Sequence, residues 1–258
     1  MNILEKIVSY KRKRVAGKKE NIPLAILKDR IAKLPSARDF KEAISRPGKI
    51  NLICEIKRAS PSSGLICKNF RPREIARTYE KNGAAAISVL TEDKYFQGDI
   101  LHLFSVKESV KIPVLRKDFI IDEYQLYESR AFGADAVLLI ASLLDPEQIV
   151  QFMNISKILG METLVEVHCE EDLDKVLATP AEIIGINNRS LEDFTVDLSV
   201  TEELMKKIPQ EKIVVSESGV KNREDVWLLK NTGINAILIG QVLLESEDIG
   251  KKLEELGI

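Results

Sequence analysis

An acid and a base stand two residues apart, Glu55 and Lys57, where the apolar run 50–56 gives out. If that run is a buried β-strand, side chains two apart share a face, and the pair projects together from a strand end. Buried charges are costly unless paired, and a paired lysine and glutamate hold each other ionised, one able to give a proton and the other to accept one. A solvated strand end accounts for this pair equally well when it is taken alone. The same residue types recur after later apolar runs, however. Lys117 follows Val114-Leu115, Glu166 and His168 follow Leu164, and Asn187 and Arg189 follow Ile186. Glu217 with Ser218-Gly219 follows Val215, and Gly240-Gln241 follows Ile239.

The chain supplies strands to carry these residues. From residue 50 onward, short Val- and Ile-rich runs alternate with longer amphipathic segments. The runs read as strands are 50–56, Ala84–Leu90, Pro113–Leu115, Ala136–Ala141, Thr163–Val167, Ile183–Ile186, Lys212–Val215 and Ala236–Ile239. Their starts lie roughly 20–35 residues apart, the spacing of parallel strands joined by crossover helices. Between them Arg73–Lys81, Glu123–Phe132, Pro146–Leu159, Glu170–Leu177, Val200–Ile208 and Arg223–Lys230 read as helices. Gly83, Gly133 and Gly233 stand where a helix ends in a left-handed cap before the next strand.

Near-continuous apolar strands alternating with helices predict a parallel sheet covered on both faces. Eight such units fit an α/β protein of the (β/α)8 TIM-barrel class, which needs about 250 residues. A doubly wound open sheet is the runner-up, weakened by the lack of G-x-G-x-x-G after the first strand. Residues 1–49 read as an N-terminal helical extension, broken by turns near Gly17 and Pro35. It packs on a catalytic barrel of residues 50–258, a single domain overall.

Such a barrel carries its site at the C-terminal ends of the strands. Those ends are polar here, including Thr91-Glu92-Asp93 after the second run and Ser142 after the fourth, whereas the starts are mostly apolar or turn-like. Solvation alone would make both ends polar. Alternation then sorts the residues. Glu55, Lys57, Lys117, Phe119, Glu166, His168, Asn187, Arg189 and Glu217 fall in inward-facing sets. Arg116 and Asp118 point toward the helices and read as a structural ion pair. Cys54 reads as a core thiol, and His168 as a polar strand end rather than a catalyst. Ser218-Gly219 and Ile239-Gly240-Gln241 occupy the two loops that bind phosphate in many barrels, through backbone N–H groups that glycine lets approach closely. Ordinary tight turns are the alternative. Ser60-Pro61-Ser62-Ser63-Gly64 makes a long first loop able to close over a substrate.

Composition narrows the class. The chain has 258 residues, 45% hydrophobic and 30% charged, with a net charge of −2. That is globular and gives no global attraction to polyanions. Residues 1–49 carry fourteen Lys/Arg against five Asp/Glu. The patch Tyr10-Lys11-Arg12-Lys13-Arg14 reads as the solvated face of a terminal helix, with an anionic-surface or nucleic-acid contact as the other reading. No apolar stretch approaches the roughly 20 residues that span a bilayer, and the first residues lack a signal-peptide core. Three widely spaced cysteines and two histidines indicate neither disulfides nor a zinc site. The expectation is a cytoplasmic protein with no metal, no cofactor, no nucleic acid and no membrane, compatible with a monomer.

Cys54-Glu55-Ile56-Lys57-Arg58-Ala59-Ser60-Pro61-Ser62 resembles the first-strand signature of indole-3-glycerol-phosphate synthases. Further segments agree in order, one per strand. They are Ile87–Glu92 with Tyr95-Phe96-Gln97-Gly98, Val114–Ile120, Gly133–Ile140, Leu164–His168, Ile186–Leu191, Ser216–Gly219 and Leu238–Gly240. Gln241 departs from the pattern, where relatives often carry a small residue. The resemblance implies a lyase of tryptophan biosynthesis, acting without cofactor or metal on the phosphorylated substrate 1-(2-carboxyphenylamino)-1-deoxyribulose 5-phosphate. Carried over residue by residue, it implies Lys117 as general acid and Glu166 as acid/base. Lys57, held by Glu55, would bind phosphate and carboxylate and assist dehydration. Asn187, Glu217 and Ser218 would orient the sugar chain, Arg189 would take the carboxylate, and Phe96 and Phe119 would flank the anilino ring. Ser60, Gly219, Ile239, Gly240 and Gln241 would complete the binding surface. A different phosphate-binding barrel, including a Schiff-base aldolase using either lysine, and a non-catalytic barrel are the competing readings. The ordered signatures and intact charges argue against both.

Overall fold

The computed structural model describes residues 3–191 and 193–258. Three helices precede the barrel: α1 Ile3–Asn21, α2 Leu24–Ile31 and α3 Phe40–Ile44. The strands are β1 Asn51–Ile56, β2 Ala86–Leu90, β3 Val114–Lys117 and β4 Ala136–Ile140, then β5 Glu162–Val167, β6 Ile183–Asn187, β7 Ile213–Glu217 and β8 Ala236–Ile239. Around them lie α4 Pro72–Lys81, α5 Ile100–Lys107, α6 Glu123–Ala131, α7 Pro146–Ile158 and α8 Glu170–Leu177. The remaining helices are α9 Ser199–Met205, α10 Arg223–Asn231, α11 Gln241–Leu244 and α12 Ile249–Leu256. Each strand pairs in parallel with the next, and β8 returns to β1 with Cys54 opposite Ile239. That last pairing closes the sheet and makes it the predicted TIM barrel rather than an open one. No described helix is long and apolar enough to cross a membrane.

Strand alternation builds two cores. Ile53, Leu115, Leu164, Ile183 and Val215 fill the barrel interior. Their neighbours Cys54, Val114, Val165, Ile184 and Val214 face the helix shell. Continuing the interior parity upward leads directly to Glu55, Lys117, Glu166, Asn187 and Glu217. The local signals are ordinary ones. α7 starts at a capping box of Asp145 and Gln148 with proline in its first turn, and α10 at one of Asn222 and Asp225. β3 lies slightly later than predicted, because Arg116 and Lys117 extend the strand as buried or half-buried charges that no apolar pattern marks.

The N-terminal extension straps the barrel from end to end. α3 lies across the bottom, where Phe40 and Ile44 enter the interior core and Asn51 Nδ2 donates to the carbonyls of Ile44 and Arg46 at 3.0 and 3.1 Å. α2 packs on α6 through Leu27 and Ala131. α1 climbs to the top, where Ile7 joins the cluster holding Phe119. Two expectations are corrected here. α1 runs unbroken through Gly17, since one glycine costs a helix only about 1 kcal/mol. The break falls at Pro23, which lacks an N–H and biases Ile22 away from helix. The basic patch is also only partly solvated. Arg12, Lys13 and Arg14 are exposed, but Lys11 is 4% exposed and its ammonium lies 2.7 Å from Asp118.

Candidate active site

One open cavity, about 1070 Å³ of empty space, occupies the C-terminal mouth of the barrel. Every residue assigned a catalytic or substrate-binding role from the sequence lines it, whereas His168, placed by alternation among the inward-facing residues, does not. From β1 and its loop come Glu55, Lys57 and Ser60. Phe96 comes from the loop after β2, and Lys117 and Phe119 from the end of β3. Glu166 stands on β5, and Asn187 and Arg189 at the end of β6. Glu217, Ser218 and Gly219 stand at the end of β7, and Ile239, Gly240 and Gln241 after β8.

A network of ion pairs forms the floor. Lys117 Nζ lies 3.0 Å from Glu166 Oε2 and also pairs with Glu217. Beside it, Lys57 Nζ lies 2.7 Å from Glu55 Oε1. Burial opposes the charge on Lys117, yet Glu166, Glu217 and Glu55 outweigh it and hold the ammonium well above the ordinary lysine value. Burial likewise pushes Glu55 up, but Lys57 and Lys117 overcome it and its carboxyl sits low. Glu166 follows the same logic: Lys117, His168 and a hydrogen bond from Asn187 bring its carboxyl below the usual range. Glu217 goes the other way. Burial and the nearby Glu166 outweigh Lys117, and its carboxyl is pushed up to about 7.

The walls are apolar. Phe96 and Phe119 face each other with ring centroids 6.0 Å apart, and Leu90, Leu138, Ile140 and Leu238 lie below them. Sequence reasoning passed over these leucines and isoleucines, because an inward residue near the top of a strand looks like core until the mouth is seen to be open. It also passed over Phe194, a loop residue with φ +63°. Arg189 is tied into that loop, its guanidinium donating to the Phe194 carbonyl at 3.2 Å.

At the β7 and β8 loops the backbone is unusual. Ser218 and Gly219 have φ +64° and +101°, and a Cβ at Gly219 would sit 2.7 Å from Leu198. Gly240 precedes α11, whose first turn has no side-chain cap. A Cβ there would lie 2.8 Å from Glu55. The side chain of Gln241 is engaged elsewhere, accepting from Ser63 at 3.3 Å and donating to Glu245 at 2.8 Å. The first loop forms a small hairpin, Ser60 opposite Gly64.

Some polar strand ends lie outside the cavity. Thr91 donates to Asp118 at 2.6 Å, and Asp93 accepts from Tyr10 at 3.0 Å. Glu92 accepts the backbone N–H groups of Lys94, Tyr95 and Phe96 and fixes the loop that carries Phe96. Arg116 pairs with Asp118 at 2.9 Å and with Glu128 at 2.8 Å in the helix shell. Asn188 donates to Ser216 and to the carbonyls of Glu217 and Ser218, pinning the end of β7.

The model of the family "Indole-3-glycerol phosphate synthase" matches residues 4–256. The chain belongs to that family. The protein of that name from Alkaliphilus metalliredigens is 50% identical over 254 residues, 98% of this chain and 97% of its own. The one from Endomicrobium trichonymphae is 48% identical, covering 98% and 99%, and the one from Desulforamulus reducens 46%, covering 98% and 96%. As a member of the indole-3-glycerol phosphate synthase family the chain is a carboxy-lyase of tryptophan biosynthesis. Among solved structures, a thiamine phosphate pyrophosphorylase from Pyrococcus furiosus matches with TM-score 0.62 and 17% identity, covering 81% of this chain and 94% of that one. This last likeness concerns the barrel alone.

Proposed function

We propose that this chain closes the indole ring, converting 1-(2-carboxyphenylamino)-1-deoxyribulose 5-phosphate into indole-3-glycerol phosphate, CO₂ and water. The observation that carries the reading is Lys117, a half-buried ammonium between Glu166 and Glu217 on the floor of the mouth. Ring closure places negative charge on the ketone oxygen when the aromatic carbon attacks it. A fixed ammonium stabilises that charge and delivers the proton. Glu166, held ionised, faces the positive charge that develops on the anilino nitrogen and ring. Loss of the carboxyl group as CO₂ then restores aromaticity. In the last step the hydroxyl leaves as water, taking a proton from the Lys57 ammonium, and Glu166, still ionised, accepts the proton that the ring gives up.

The rest of the mouth binds. Arg189 suits the carboxylate, because a guanidinium donates two parallel hydrogen bonds to it. Phe96 and Phe119 flank the aromatic ring. Ser218-Gly219 and Gly240-Gln241 offer backbone N–H groups to the phosphate, and Asn187 and Ser60 meet the sugar chain. None of these steps calls for a metal or cofactor. The test is indole fluorescence on supplying the anilino-ribulose phosphate. Wild type turns it over, and Lys117→Ala loses about 10²–10⁴-fold in kcat with an unchanged circular dichroism spectrum. Turnover of Lys117→Ala near wild type refutes the assignment.

A further inference from the structure

His168 stands just past the end of β5, two residues beyond Glu166, and does not line the cavity. Its Nε2 is 3.3 Å from Glu166 Oε1, and its Nδ1 is 3.7 Å from Asp172 Oδ2. The same Asp172 oxygen accepts the His168 backbone N–H at 3.2 Å. Glu166 turns its other oxygen, Oε2, to Lys117. Asp172, His168, Glu166 and Lys117 thus stand in file from α8 through β5 to β3. Both ring nitrogens are buried and face a carboxylate each, with no conventional hydrogen-bond partner among the described residues. A neutral imidazole has one N–H and serves one carboxylate. The protonated ring has two and serves both.

We propose that His168, held by Asp172, is a positioning residue for Glu166: as an imidazolium it fixes Oε1 and leaves Oε2 to Lys117 and the reacting atoms. The inference rests on the reading of Glu166 given above. The surrounding charges fit it. Glu166 faces the ring from β5, Asp172 from α8 and Glu217 from β7. Lys117 lies beyond Glu166, and Lys175, 4.0 Å from Asp172, lies beyond that carboxylate. Burial disfavours the charged ring, but Asp172, Glu166 and Glu217 outweigh it and raise its pKa above the ordinary histidine value. The imidazolium in turn helps keep Glu166 ionised.

The experiment is the pH dependence of kcat/KM for the full chain, comparing wild type with His168→Asn, Asp172→Asn and Glu166→Gln. Loss of the cation raises the Glu166 carboxyl. In His168→Asn the acid limb moves up by about one unit, kcat falls more than KM rises, and Tm stays close to wild type. Asp172→Asn moves the limb in the same direction by less, and it carries the test alone if His168→Asn does not fold. A limb that stays in place in the folded variants, with Glu166→Gln inactive, overturns the inference and leaves the role of Glu166 standing. Wild-type turnover by Glu166→Gln overturns both.

Discussion

Replacing Lys11 with methionine isolates what α1 contributes to the scaffold beneath the site. Lys11 is 4% exposed, and its ammonium sits 2.7 Å from Asp118 Oδ1. Asp118 is the residue between Lys117 and Phe119, both of which line the cavity. Methionine keeps most of the apolar stem, so the change removes mainly the charge. Deleting one partner of a buried pair costs about 3–5 kcal/mol when the other is left alone. Asp118 is not left alone, since Arg116 at 2.9 Å, the Thr91 hydroxyl at 2.6 Å and the Phe119 N–H at 2.8 Å remain. The expected loss is therefore about 2–3 kcal/mol, or about 5–10 °C in Tm for a chain of this size.

The pH dependence adds a signature. Burial opposes the charge on Asp118, but Lys11 first and Arg116 next hold its carboxyl well below the usual range. A carboxyl depressed in the folded state contributes stability that is complete above its unfolded value, near pH 4, and is lost as the pH falls through the folded value. Lys11→Met weakens that contribution. Unfolded-state protonation is common to both chains, so the Tm gap should be full at pH 7 and narrow only as the pH falls through the variant's folded Asp118 value, which lies above that of wild type. Calorimetry at pH 7, 5 and 3.5 reads it. A gap under 1 °C at pH 7, or one that widens as the pH falls, refutes the claim that this pair ties α1 to the barrel.

Two further outcomes separate binding from stability. Gly219→Ala meets a positive φ and a clash 2.7 Å from Leu198, which should cost about 1–3 kcal/mol and raise KM severalfold. A KM equal to wild type, measured by indole fluorescence, counts against phosphate binding at this loop. At the opposite end, Asp135 is fully buried and takes Lys107 at 2.5 and 2.7 Å, with the N–H groups of Arg38 and Val114. Asp135→Asn should lower the urea midpoint by an amount equal to about 2–4 kcal/mol while kcat/KM of the folded enzyme stays within about twofold.

The floor of the site was legible because three rules converge on it: strand parity, the polar C-terminal ends, and the cost of burying charge without a partner. Glu55, Lys117, Glu166 and Glu217 satisfy all three. The polar ends at Thr91, Glu92 and Asp93 were legible as polar but not as scaffolding. Their partners, Asp118 on β3, the N–H groups of residues 94–96 and Tyr10 on α1, lie on segments whose approach only the closed barrel determines. Lys11 was misplaced for the same reason. A basic run on a helix normally faces water, and only the docking of α1 over β3 puts one of its members against a buried aspartate. Leu138 and Leu238 were invisible as site residues because nothing local separates a lining leucine from a core one.

The two ends of the barrel dispose of buried charge in opposite ways, and that contrast locates the chemistry independently of any resemblance. At the bottom, Asp135 is saturated by an ammonium and backbone N–H groups, so nothing remains for a ligand. In the shell, Asp118 is likewise closed by Lys11, Arg116 and Thr91. At the mouth, Glu55, Glu166 and Glu217 share Lys117 and Lys57, and His168, which stands behind Glu166, brings a carboxylate of its own in Asp172. The surplus falls on Glu217, whose carboxyl is pushed up to about 7 and so holds a proton part of the time near neutrality. Carboxylates in excess around a half-buried lysine keep it charged, which a donor to a developing alkoxide requires. They also leave one proton loosely held beside it. An arrangement like this adds less to stability than a matched pair does, and the rigid shell of closed pairs around it offsets the difference. Charge left unbalanced in a place that water and a ligand can reach is what marks the mouth as the working end.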